Sequence, residues 1–405
     1  MQKKIIVLAI AGAIAGLAAG SAVADVSAPS VSFYGLLDYG YLSRGGDTVK
    51  GTATNSLASG ASQNSFNSGI SAGSRLGVKG GKTLDNGAKF LYEVEYGITI
   101  DNNGKGSNSN TSSSATSNAA STFWNRHSYI GFTGDWGTAV GGRLEGARYS
   151  FSNKYDPFGG GTVGNFGSLI GNQARADNAI AYITPTYAGG FNALLAYTTN
   201  LTGNENKYNN GDARLYVIAP QYNNGPLSVT YDYEDATVHG LNVGGQNGGD
   251  IKINVLAGSY DLTAAKLFAY WESVKGSDAL QVLNLDQKAY LIGATAPVGE
   301  GIVLKFSYVT LKDNYADSNG QDGDCKKTSL GMDYKLDKNF NVYADFATIS
   351  NGTNASCSIT TSSSNYSGSA SATAGIVNAG VDSTVPGNIT GFGTHAIDVG
   401  VKYTF

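Results

Sequence analysis

The sequence predicts an all-β protein, a transmembrane antiparallel β-barrel of about sixteen strands. Three observations point there. Apolar and polar side chains alternate with a two-residue rhythm over stretches of about ten residues. Tight turns alternate with long polar loops along the chain. An export signal stands ahead of a sequence with no later run of 18 or more apolar residues, which argues against a helical membrane protein.

The export signal comes first. Lys3 and Lys4 precede an uncharged run from Ile5 to Ala19, and Ala22-Val23-Ala24 has the A-x-A form of a cleavage site. Residues 1–24 are therefore expected to be a cleaved signal peptide and residues 25–405 a single barrel domain. A transmembrane anchor would need nearer ~20 apolar residues.

Without Lys3 and Lys4 the 27 basic residues fall to 25 against 31 acidic ones, a net charge of −6. Such a balance argues against nucleic acid as a partner, because phosphate binding needs a basic surface. The chain holds 56 Gly and 25 Tyr against 15 Phe, with only 14% charged residues. That composition suits turns and two-faced strands better than the continuous apolar sequence of a soluble core.

The rhythm is legible strand by strand. Val31, Phe33, Leu37, Tyr39 and Tyr41 share one parity, with Ser32, Tyr34, Asp38 and Gly40 on the other. Phe90, Tyr92, Val94 and Tyr96 oppose Lys89, Glu93 and Glu95. At the C-terminus Ile397, Val399, Val401, Tyr403 and Phe405 oppose Asp398, Gly400, Lys402 and Thr404. A soluble sandwich also alternates, so the connections decide. Residues 81–87, 134–137, 185–190, 223–226, 261–264, 297–301 and 336–339 read as tight turns. Residues 43–69, 101–122, 145–176, 200–212, 235–249, 276–286, 314–325 and 350–393 read as long Ser/Asn/Gly/Thr-rich loops. Short turns on one side and long loops on the other, joining an even number of strands, is the plan of a membrane barrel. Closure follows physically, since an open edge in lipid leaves amide groups with no water to bond. Tyr and Phe at strand ends fit interfacial girdles; ordinary cross-strand packing is the plainer account.

Several of these segments resemble the trimeric general porins of Gram-negative bacteria. The carriers are Val31-Ser32-Phe33-Tyr34-Gly35, Ser74-Arg75-Leu76-Gly77-Val78-Lys79-Gly80, Asn125-Arg126-His127-Ser128-Tyr129-Ile130-Gly131-Phe132 and the terminal Lys402-Tyr403-Thr404-Phe405. The similarity runs from Val31 to Phe405, with divergent loops. It implies export through the periplasm to the outer membrane, contact with lipid and lipopolysaccharide, a homotrimer, and a water-filled channel for passive diffusion of small hydrophilic solutes and ions. It also implies a third loop folded into the lumen, which residues 145–176 would supply, with Asp156-Pro157-Phe158-Gly159-Gly160 resembling the family's acid-bearing element. Arg75, Arg126 and Arg175 resemble the wall arginines that face that acid. The loop carries few acids, which departs from the family's pattern. A channel for one solute class, and a structural or adhesive surface barrel, are the alternatives.

Parity gives part of this independently. With Leu76 and Val78 toward lipid, Arg75, Gly77 and Lys79 face the lumen; with Tyr129 toward lipid, Arg126 and Ser128 face inward. Arginine toward lipid at mid-depth costs about 2–4 kcal/mol. These charges otherwise sit solvated at the rim. Lys89, Glu93 and Glu95 share the inward parity and add mixed charge to the wall, or pair with one another. Three arginines against Asp156 predict weak anion preference or near-neutrality. Cys325 and Cys357 fall in neighbouring loops, and a disulfide between them is expected in an exported chain. Asp317-Ser318-Asn319-Gly320-Gln321-Asp322-Gly323-Asp324 is oxygen-rich but lacks the bidentate acid of an EF-hand. His127, His239 and His395 are widely separated, with no catalytic motif and no metal-ligand spacing, so no enzyme, cofactor or metal is expected.

Overall fold

The structure, a computed structural model, describes residues 29–47, 62–101, 126–170, 174–201, 205, 213–243, 246–277, 285–355, 357–361 and 392–405. The expected signal peptide, residues 1–24, lies outside the described residues. Seventeen strands follow in order: β1 (Ser30–Asp47), β2 (Gln63–Ser68), β3 (Arg75–Thr83), β4 (Lys89–Gly97), β5 (Ser128–Gly134), β6 (Gly137–Glu145), β7 (Arg175–Ile183), β8 (Phe191–Thr198) and β9 (Ala213–Asn224). They continue with β10 (Leu227–Val243), β11 (Gln246–Asp261), β12 (Lys266–Gly276), β13 (Asp286–Pro297), β14 (Ile302–Asp313), β15 (Cys325–Lys335), β16 (Phe340–Asn351) and β17 (Phe392–Thr404). Among the described residues two α-helices lie in loops, α1 (Ala147–Lys154) and α2 (Asn314–Ser318).

The sheet closes on itself. One edge of β1 pairs with β17, from Leu36 opposite Thr404 to Asp47 opposite Phe392. Its other edge pairs with β2 at residues 39–44 and with β3 at residues 30–36. Those two short strands are therefore one stave, interrupted at residues 69–74, and the ring has sixteen staves, each antiparallel to its neighbours. The last seam is tied by Gly35 and Phe405, whose amides each donate to the other's carbonyl at 3.0 and 3.1 Å.

All seven tight turns fall where the sequence places them; Gly, Pro or Asn punctuates six of them, and the seventh, Asp261 to Ala264, turns with Thr263 at φ 71°. The fifth long loop differs. Residues 235–238 and 249–252 continue the β10–β11 ladder, with Asp235 opposite Lys252 and the Thr237 hydroxyl on Asp250 at 2.9 Å, so the barrel wall rises there as an extended hairpin. Polar composition suggests a loop, but alternating residues with cross-strand partners stay paired.

Outward positions carry the apolar surface: Phe33 is 80% exposed, and Ile130, Ile180, Leu256, Ile292, Leu330 and Val399 alternate with buried neighbours. Aromatic pairs band the tight-turn end, with Phe90–Phe132 at 5.5 Å, Phe191–Tyr222 at 4.5 Å and Phe340–Tyr403 at 6.1 Å between ring centroids. One outward assignment, that of Tyr129, is corrected. Tyr129 is only 4% exposed and its hydroxyl donates to Glu93 Oε2 at 2.7 Å, while Ile130 and Phe132 take the outward parity. The segment Ser128–Phe132 alternates in apolar character too weakly for its parity to be read from sequence alone.

The inner face is not uniformly wet. Residues 146–170 fold inside the barrel as the third loop, and their Phe151, Val163, Phe166, Leu169 and Ile170 belong to one buried apolar cluster with inward Val255, Leu291, Val309 and Leu311 of the wall. Phe166 meets Tyr270 edge-on at 4.6 Å. Part of the wall is therefore dry because a loop is seated on it. Apolar parity on both faces of a strand, as in β11, marks that seat.

Candidate functional site

Five consecutive wall strands bring a cluster of charge to the loop side of the lumen. Arg75 opens β3, Glu93 and Glu95 lie on β4, Arg126 and His127 lead into β5, Glu145 ends β6 and Arg175 opens β7. Antiparallel order puts all of these strand ends at one level. Arg175, expected just ahead of its strand, is the strand's first residue.

Each arginine meets a wall glutamate. Arg75 Nε lies 3.1 Å from Glu95 Oε2, Arg126 binds Glu95 Oε1, and Arg175 lies 3.2 Å from Glu145 Oε1. Glu93 accepts from the hydroxyls of Tyr34 at 2.5 Å and Tyr129 at 2.7 Å. Three guanidinium groups thus stand against two carboxylates, Glu95 and Glu145, in charge-assisted pairs, while Glu93 is held by tyrosine hydroxyls instead. The pairing is uneven in its exposure: the Arg75 side chain is 25% exposed and that of Glu95 4%. The positive end of the pair faces open space and the negative end sits behind it. Lys79, on the same strand, stacks its ammonium 5.2 Å from the Tyr34 ring centre.

Asp156 is not at this cluster. Its oxygens accept backbone N–H groups from Phe158 at 3.0 Å, Phe166 at 2.9 Å and Gly160 at 3.2 Å, so it organises the tip of the third loop from within. Burial pushes its carboxyl above the usual carboxylate range, against the pull of those three donors. The expectation that Asp156 supplies an acid across from the arginines is corrected, because its oxygens are already taken inside the loop. The acids beside the arginines are Glu95 and Glu145, which share their wall.

The third loop is pinned at both ends. In α1, Arg148 forks onto Glu272 of β12 at 2.8 and 2.7 Å, and its backbone N–H donates to Glu234 of β10 at 3.0 Å. Burial would lower the Arg148 pKa, but Glu272 beside it holds it above the ordinary value. The Tyr155 hydroxyl lies 2.9 Å from Ser228 and 2.8 Å from Thr230. At the tip, the Val163 N–H donates to Asp398 at 2.6 Å, and buried Lys327 reaches the Asn165 carbonyl and the Ser168 hydroxyl at 2.8 Å. Thr162 N–H donates to the Ile70 carbonyl at 2.9 Å, where residues 69–74 bulge inward between β2 and β3. Asp38 holds that bulge by accepting from Ser71 N–H at 3.2 Å and Tyr343 at 3.1 Å. Asp38 and Asp398 stand on the polar parity of their strands in the sequence, which marks them as inward. Their partners lie up to 305 residues away, and no local signal names them.

Cys325, at the start of β15, is joined to Cys357 by a disulfide. Within the acidic stretch at 317–324, Asp324 accepts from Asp313 N–H at 3.2 Å and pairs with Lys312, and Asp322 accepts from Asp324 N–H at 3.3 Å. Those carboxylates shape the seventh loop and its short helix α2.

The sequence profile of Gram-negative porins matches residues 9–355, and the chain belongs to the Gram-negative porin family. It is accordingly an outer-membrane channel protein and not an enzyme. It is 26% identical over 368 residues to an outer membrane porin protein of Bordetella pertussis, covering 82% of this chain and 91% of the relative. It is 27% identical over 372 residues to outer membrane porin protein 32 of Delftia acidovorans, covering 87% and 90%. Among solved structures, the anion-selective porin from Comamonas acidovorans superposes with a TM-score of 0.67 at 22% identity, covering 93% of this chain and all of that one. OmpT of Vibrio cholerae superposes with a TM-score of 0.61 at 18% identity, covering 94% and 99%. At these identities the superpositions show the shared fold.

Proposed function

We propose that the protein is a homotrimeric, water-filled pore for passive diffusion of small hydrophilic solutes and ions, with a weak preference for anions. The observation that carries the preference is the orientation of the Arg75–Glu95 pair: the guanidinium is part-exposed to the lumen and the carboxylate is buried behind it. A permeating anion therefore meets positive charge first. Lys79 adds to the same side. The preference is weak because the arginines are matched by glutamates on their own wall. Beyond that, charges at 4 Å attract by only about 1 kcal/mol in bulk water, and physiological salt screens beyond roughly 8 Å. The relative from Comamonas is described as anion-selective, and another solved form of Vibrio cholerae OmpT as a trimer, in line with both parts of the reading. The exposed apolar belt is the surface that meets lipid and lipopolysaccharide.

The test is a reversal potential in a KCl gradient across a planar bilayer. A small shift of the sign given by excess chloride permeation is expected. Strong cation selectivity would contradict the charge orientation, and a barrel that conducts nothing would favour the adhesive or structural role.

A further inference from the structure

We propose that Glu93, Glu95 and His127 form a site for one divalent transition-metal ion of the zinc class on the pore wall. The three offer ligand atoms that all lie within 4.8 Å of one another, the one such His/Cys/Asp/Glu group among the described residues. His127 Nδ1 stands 3.8 Å from Glu93 Oε1 and 3.9 Å from Glu95 Oε1. Zinc bound at ~2.1 Å by nitrogen and oxygen in tetrahedral geometry separates its ligand atoms by about 3.4 Å, so small side-chain rotations close the site.

His127 is what distinguishes this site from an acidic cluster. It is 6% exposed, and neither ring nitrogen has a hydrogen-bond partner in the structure. A buried polar atom left unbonded is destabilising. An ion on the Nδ1 side removes that cost for one nitrogen, and Glu145 Oε1, 3.8 Å from Nε2, stands on the other side to orient the ring. A carboxylate behind a ligating imidazole is the usual supporting arrangement.

Among the described residues no lysine or arginine lies within ion-pair distance of Glu93; its oxygens take the Tyr34 and Tyr129 hydroxyls in addition to facing His127. It is thus a buried carboxylate with negative charge to give. The imidazole selects the metal class, since calcium and magnesium favour all-oxygen sites. Three protein ligands leave a fourth position for water. Arg75 and Arg126 share Glu95 and oppose a second positive charge, so binding is weaker than in an all-acid cage. In return, an ion drawing on Glu95 loosens Arg75, which leaves more uncompensated positive charge in the lumen. Zinc then increases anion preference.

The full-length folded protein in detergent would be titrated with Zn2+ alone by isothermal calorimetry, beside His127→Ala, Glu93→Gln and a His239→Ala/His395→Ala double variant. The expectation is one ion per chain, an affinity falling by more than about tenfold in each ligand variant, and no change in the double variant. In a KCl gradient, Zn2+ should move the reversal potential further toward chloride in the wild type and leave His127→Ala unmoved. Absence of saturable binding to the wild type, or equal binding by His127→Ala, overturns the proposal. If His127→Ala does not fold, Co2+ loaded on the wild type decides: intense visible bands of four- or five-coordination are expected, and a weak octahedral spectrum overturns the site. Calorimetry does not depend on conduction, so this result is separable from the selectivity reading.

Discussion

Arg148 of the third loop and Glu272 of β12 face each other through two hydrogen bonds of 2.8 and 2.7 Å, both side chains almost wholly buried. They are 124 residues apart in sequence, and together they fix where α1 lies against the wall. Breaking one half of a buried ion pair strands the other charge.

Arg148→Met is therefore expected to destabilise the loop seat by about 3–5 kcal/mol while leaving the barrel ladder formed. Single-channel recording should show larger, noisier currents. Quiet currents of unchanged size, with unchanged thermal unfolding, would count against the pin.

Removing the exposed end of the wall pair should shift selectivity. Arg75→Ala leaves Glu95 with Arg126 but takes the part-exposed guanidinium out of the lumen. The reversal potential in a KCl gradient is expected to move toward cation permeation. A shift in the opposite sense would mean that Arg75 does not face the ions.

Two glycines on the wall make room for the loop tip. A Cβ on Gly293 would lie 2.5 Å from Pro157, and one on Gly331 would lie 2.7 Å from the Phe158 ring but nearer still to Asp345 Oδ1. Gly293→Ala, whose first contact is Pro157, is expected to push the tip off the wall into the lumen and to lower conductance. Unaltered conductance and stability would show that Pro157 packs elsewhere.

Lys154, at the end of α1, gives the pore a pH dependence. Burial, with Lys266 nearby, lowers its pKa to about 8. Its folded pKa lies below the unfolded value near ~10.4, so between the two the unfolded chain binds more protons and stability rises with pH. In the same direction the lumen loses a positive charge, and anion preference should fall from pH 7 to pH 9. Lys154→Met should be flat across that range; an equal fall in the variant would point to another group.

The disulfide between Cys325 and Cys357 ties the eighth loop to β15. Closing such a loop is worth about 2–4 kcal/mol. Alkylation followed by mass measurement should add no label until a reductant is present, and reduction should speed proteolysis of the eighth loop. Label taken up without reductant would show free thiols.

What the chain determined by itself is the set of features written in neighbouring residues. Val31 to Tyr41 and Ile397 to Phe405 declare a lipid face because successive strand side chains point to opposite sides. Turns such as 134–137 and 223–226 declare themselves because Gly, Pro and Asn suit tight reversals. Arg75 and Lys79 are inward by the same rhythm. Tertiary structure decided the rest. Which inward stretch is dry depends on where the third loop seats, and that is set by Glu272, Asp398 and Lys327, far from the loop in sequence. The role of Asp156 depends on three backbone N–H groups that converge only when the loop folds. His127 lies 32 residues from Glu95 and 34 from Glu93, and no periodicity relates them. Pairing of β4 with β5, in which the Glu95 amide donates to the His127 carbonyl at 2.8 Å, puts imidazole and carboxylates on adjoining staves, because hydrogen-bond register fixes which residues of two strands meet whatever the length of the loop between them.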